Sequence, residues 1–123
     1  MRSMNLGVGG AALVAAALLG AGIALTAAAA PSKGSAAAGK LVFSSKCVVC
    51  HKVDGSGGMK LTGNPTPNWK DPKTWNATRT DDYLRDCITN GKQKSGMVAW
   101  GKTGQLKPAQ IEDVIAYIKT FKK

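Results

Sequence analysis

The chain has 123 residues, enough for one small domain, with 17 Lys and Arg against 7 Asp and Glu and a formal charge of +10. A single histidine excludes any site built from paired histidines, and three cysteines leave one over from any pair. Such a basic balance suggests acidic partners, and nucleic acid is set aside because none of its recognition motifs is present.

From Leu6 to Ala30 no residue is charged, and the composition is Ala, Gly, Leu and Val behind a start that carries only Arg2. Residues 1–30 therefore read as a signal peptide with a weakly basic start, an apolar middle and a small-residue exit at Ala27 and Ala29; Ala36 to Ala38 offers a second exit. An uncleaved membrane anchor is the alternative, because the run reaches the ~20 residues that span a bilayer. Without Arg2 the remainder keeps sixteen Lys and Arg against seven acids. Residues 31–35 read as a linker, and 36–123 as the folded domain.

From Ala36 to Cys47 the residues suit a helix, with Gly39, Phe43 and Cys47 on one face. That face leads into Cys47-Val48-Val49-Cys50-His51, the C-x-x-C-H signature of covalent haem attachment. Two thiols one helical turn apart add across the haem vinyl groups, and the adjoining imidazole serves as proximal iron ligand. A thioredoxin-like motif needs no such histidine and would follow a strand. A zinc site would have to use His51 and all three cysteines.

Lys52 to Lys70 holds Gly55, Gly57, Gly58, Gly63, Pro65 and Pro67, which predicts a loop wrapping the haem. Thr80 followed by Asp81 and Asp82 predicts a helix start, and Gly91 its stop after Asn90. Leu84, Cys87 and Ile88 share a face there, so Cys87 reads as a small buried hydrophobe. Pro108 opens a last helix in which Ile111, Val114, Ile115 and Ile118 form the apolar stripe, widened by Tyr117 and Phe121. No strand pattern of useful length is present, which makes the domain all-α.

The sixth iron ligand decides between electron transfer and ligand chemistry. His51 is the only histidine, so a thioether is the remaining choice. Met59 follows His51 too closely to round the macrocycle, whereas Met97, in the Gly96–Gly101 segment between two helices, can cover the other face. Lys46, Lys52, Lys60, Lys92, Lys94 and Lys102 lie near these motifs and could ring an exposed haem edge.

These residues together make the chain resemble a class I monohaem c-type cytochrome of bacterial type: Gly39, Phe43, Cys47-x-x-Cys50-His51, Met97-x-x-Trp100-Gly101, then Val114 and Tyr117. The resemblance implies a cytochrome c fold of three to five helices around one haem c, with the first and last helices crossing through Gly39, Phe43, Val114 and Tyr117. It also implies a proline carbonyl that orients the proximal imidazole, for which Pro65 and Pro67 both qualify. Met-x-x-Trp-Gly resembles a subset that includes domains of larger respiratory or sulfur-oxidising assemblies. The expectation is a periplasmic, monomeric electron carrier and not an enzyme in its own right. Its partners would be acidic-surfaced redox proteins or membrane respiratory or photosynthetic complexes. A haem sensor or peroxidase-like protein with a labile Met97, and a cytochrome subunit of an oxidoreductase complex, are the alternatives.

Overall fold

The computed structural model describes residues 32–123, so the stretch read as a signal peptide lies outside the described residues. Four α-helices follow one another: α1 (Ala36–Lys46), α2 (Val48–His51), α3 (Asp81–Asn90) and α4 (Pro108–Lys119). Two 3-10 turns, Pro72–Thr74 and Gln93–Ser95, interrupt the connections. Among the described residues there is no strand, and one isolated antiparallel bridge pairs Lys92 with Met97. The all-α architecture is the one the sequence implied.

Local chemistry explains the boundaries. The Ser35 hydroxyl accepts a hydrogen bond from the Ala38 N–H and caps α1. Thr80 does the same for α3 through the Tyr83 N–H, with Asp81 and Asp82 in the first turn and Gly91 at φ 71° closing the helix. Pro108 starts α4, and the Gln110 side chain accepts from the Lys107 N–H. The helix expected over Ala36–Cys47 ends at Lys46 with Cys47 as its C-cap, and α2 forms a separate turn in which the Cys50 and His51 N–H groups both reach the Cys47 carbonyl.

The core joins α1, α3 and α4. Phe43 and Val114 are completely enclosed, with Leu84, Ile88, Leu106, Ile111, Ile115 and Ile118 around them. Gly39 is where the first and last helices approach most closely, and Phe43, Tyr117 and Phe121 form a three-ring cluster with centroids 5.1–5.6 Å apart. The chain just before α1 is also held: the Ser35 N–H donates to Asp113 Oδ1 at 2.7 Å, and Gly34 lies against the Glu112 carbonyl. Across this face Arg85 pairs with both Glu112 and Asp82, and Lys119 with Asp81.

Candidate haem site

Between these helices lies a cavity of about 710 Å³, within the size range of small-molecule and cofactor sites. Cys47, Cys50 and His51 line it from the α1–α2 junction, and Met97 lines it from the α3–α4 connection. All four residues singled out in the sequence thus face one space. Met59 is half-buried and lies outside the lining.

The wall is mainly apolar, supplied by Phe43, Leu84, Ile88, Val114 and Ile118. Cys87 belongs to it as well: it is buried, as its helical face required, but on the cavity side of α3. Trp69 from the long loop stacks on the His51 ring with centroids 6.0 Å apart and planes 27° from parallel. The Trp69 N–H donates to the Gly55 carbonyl, and the Trp75 indole N–H donates to the Trp69 carbonyl, so this loop residue is fixed by its own backbone.

His51 Nδ1 is buried without a hydrogen-bond partner, as is Trp69 Nε1. Neither Pro65 nor Pro67 holds the imidazole, although both line the cavity. Burial lowers the His51 pKa and keeps the ring neutral, the state in which nitrogen has a lone pair for a metal. Burial, with Cys50 beside it, pushes the Cys47 thiol up to about 11, so it stays protonated at neutral pH.

Charge around the cavity is one-signed. Lys46, Arg79, Lys92 and Lys94 line it, and no Asp or Glu does. Among the described residues none of these four is in an ion pair. Arg79, which the sequence reading missed, sits 5.5 Å from the ring centres of both Trp69 and Tyr83. Lys46 lies 5.5 Å over Trp100, and Lys92 lies 4.9 Å over Tyr83. Lys52, Lys60 and Lys102 do not line the cavity. Two thiols and an imidazole on one wall, a thioether on another, apolar sides and unopposed cations fit haem, an apolar macrocycle carrying two carboxylates.

The model of the family described as "Cytochrome C oxidase, cbb3-type, subunit III" matches residues 34–118. Cytochrome c6 of Limnospira maxima is 35% identical over 88 residues, covering 69% of this chain and 91% of that protein. Cytochrome c6 of Rippkaea orientalis is 38% identical over 85 residues, 69% of each. The cbb3-type cytochrome c oxidase subunit CcoP of Azospirillum sp. is 34% identical over 90 residues, 67% of this chain and 29% of the relative. The chain therefore belongs to this family of cytochrome c domains and is a class I monohaem c-type cytochrome. Its cofactor is one covalently bound haem c, and its function is electron transfer. The chain spans less than a third of the CcoP relative and most of the cytochromes c6.

Proposed function

We propose that the protein is an exported single-electron carrier in which Cys47 and Cys50 bind haem covalently and His51 and Met97 ligate the iron. The carrying observation is that these four side chains, from two separate segments, line one cavity while Met59 lies outside it. Haem supplies a reversible Fe(III)/Fe(II) couple when bound. The protein's own residues do the rest. His51 stays neutral through burial, Met97 offers a thioether, and the mainly apolar wall would surround the macrocycle. Held by His51 and Met97, the haem would serve to pass single electrons, which supports a carrier over an enzyme.

Lys46, Arg79, Lys92 and Lys94 gather unopposed positive charge at the cavity, which supports acidic-surfaced redox partners docking there. Residues 1–30 then serve as the export signal to the periplasm, with 31–35 leading into the domain. Among the described residues no helix is long and apolar enough to cross a membrane. A second reading, subunit of a respiratory complex, is favoured by the match to the cbb3 subunit III family and to CcoP. Purification from native membranes under mild detergent separates the two: a free carrier elutes alone, a subunit with its complex.

The experiment that tests the ligand assignment compares Met97→Ala with Met59→Ala. Met97→Ala should abolish the sulfur-to-iron charge-transfer absorption of the ferric protein, lower the reduction potential and admit cyanide or carbon monoxide. Met59→Ala should do none of this. Rapid, tight carbon monoxide binding by the unmodified protein would overturn the carrier reading in favour of a sensor or peroxidase-like protein.

A further inference from the structure

Met97 is borne on a weak element. Lys92 and Met97 exchange both backbone hydrogen bonds, at 3.0 and 3.1 Å, around the Gln93–Ser95 turn, and Gly96 completes the reversal in the left-handed region. Two more bonds close the turn, from the Ser95 N–H to the Lys92 carbonyl and from the Gly96 N–H to the Gln93 carbonyl; the hairpin is still exposed along Lys92, Gln93 and Lys94, and an isolated hairpin of that size is marginal in water. The Met97 side chain packs against the core, and the exposed turn that carries it takes a second hold from outside the hairpin.

The long loop after His51 provides that support. It folds back at Gly58–Thr66, where the Gly58 N–H donates to the Thr66 carbonyl at 2.9 Å and the Thr66 N–H to the Met59 carbonyl at 2.8 Å. The Thr66 hydroxyl donates to the Cys50 carbonyl at 2.8 Å and accepts from the Met59 N–H at 3.0 Å, so the base of this fold is tied to the haem-attachment turn. Its tip reaches the other hairpin. The Thr62 hydroxyl donates to the Lys94 carbonyl at 2.9 Å, across 32 residues of chain. Beside it Gly63 faces the same carbonyl, and Leu61 covers Gly96 so closely that a side chain at Gly96 would begin 3.2 Å from it.

We infer that Thr62 is a positioning residue for the distal ligand: its hydroxyl latches the Lys92–Met97 hairpin to the loop anchored on Cys50, and the latch sets how rarely Met97 leaves the iron. The inference rests on Met97 as axial ligand. Its physical content is a continuous path from the Cys50 carbonyl through Thr66, the Gly58–Thr66 fold, Thr62 and Lys94 to Met97. Breaking the tip contact leaves the core of α1, α3 and α4 untouched, because Thr62 and Lys94 are exposed and belong to neither an α-helix nor the core. The consequence is local opening of the hairpin without global unfolding.

The test uses the ferric haem protein and imidazole as probe, since imidazole can enter only when Met97 has left. Thr62→Val removes the hydroxyl at constant shape, and Thr62→Ser restores it. Thr62→Val should raise the limiting rate of imidazole binding by about two- to tenfold, the population change that follows from losing one net hydrogen bond. It should also speed amide exchange at Lys92 and Met97, with the melting temperature unchanged. Thr62→Ser should behave as the parent. Parental rates in Thr62→Val, or equal acceleration in both variants, would overturn the latch while slow imidazole binding in the parent and fast binding in Met97→Ala kept the ligand assignment standing. Fast binding in the parent with no change in Met97→Ala would overturn both.

Discussion

Replacing Gly39 with Ala places a methyl carbon where the first and last helices meet. On the existing backbone that carbon would lie 1.9 Å from the Asp113 carbonyl oxygen, 2.4 Å from its carbon and 2.9 Å from the Tyr117 Cβ. Carbon and carbonyl oxygen make contact at about 3.3–3.6 Å, so α1 and α4 must separate by more than about 1 Å. No rotamer relieves the clash, because two of the three obstructing atoms are backbone. Overpacking of this kind costs about 3 kcal/mol at the upper end of its usual range, and the better helix propensity of Ala returns about 1 kcal/mol. The net loss is about 2 kcal/mol, which lowers the melting temperature of a domain this size by roughly 8–16 °C. Circular dichroism of the haem protein measures it. Phe43, Val114 and Ile118 serve both the helix crossing and the cavity wall, so the haem absorption should melt together with the helices. A Gly39→Ala protein that melts at or above the parent would show that propensity alone acts there and that the close approach does not constrain the fold.

The Asp54 carboxyl accepts hydrogen bonds from Ser56 and pairs with Lys70, which hold its pKa down to about 2 against an ordinary 3.8. A depressed carboxylate stabilises the fold above the unfolded value and loses that contribution as pH falls through the folded one. Asp54→Asn should therefore melt below the parent at pH 7 and converge with it near pH 2; a constant difference across that window would remove Asp54 from the acid response. Cys87 is only 8% exposed, so a thiol reagent should modify it only on unfolding, and rapid labelling of the native haem protein would contradict its placement on the α3 face. The cations at the cavity should make the second-order rate of electron exchange with an acidic redox partner fall with salt, because exposed charges are screened within about 8–10 Å at physiological ionic strength. A flat salt profile would leave Lys46, Arg79, Lys92 and Lys94 with no part in docking.

What could be read from the sequence was whatever short-range chemistry determines. Thr80 and Gly91 bounded α3 because a hydroxyl cap and a residue at positive φ act within one turn. Pro108 and the Ile111–Ile118 stripe gave α4 for the same reason, and Cys47, Cys50 and His51 came as a unit because haem attachment needs them adjacent. The loop between His51 and Asp81 was opaque. Its shape depends on contacts such as Trp69 N–H to Gly55 and the Thr66 hydroxyl to Cys50, which no periodicity announces. So Trp69 against His51, Arg79 between two aromatic rings and the choice of cavity-lining lysines emerged only from the fold. The separate turn α2 after Cys47, which brings both thiols to one cavity, was likewise not legible in the sequence.

The two sides of the site differ in how they are secured. His51 follows directly on Cys50, at the end of a turn that packs against the core and would be bonded to the cofactor twice. Met97 has no covalent tie: its hairpin holds itself by four backbone hydrogen bonds, its side chain packs against the core, and its turn leans on the tip of a loop. The energies follow that division. On the proposed ligand set, loss of the proximal side would require breaking covalent bonds or the core, while loss of the distal side would require a local opening of the kind that exposed loops undergo readily. The contacts at Leu61, Thr62 and Lys94 then bear on how firmly Met97 would be held, which the C-x-x-C-H motif does not govern. A protein that needs a fixed sixth ligand has reason to tie those contacts back to the attachment turn, and the Thr66 hydroxyl on the Cys50 carbonyl is that tie.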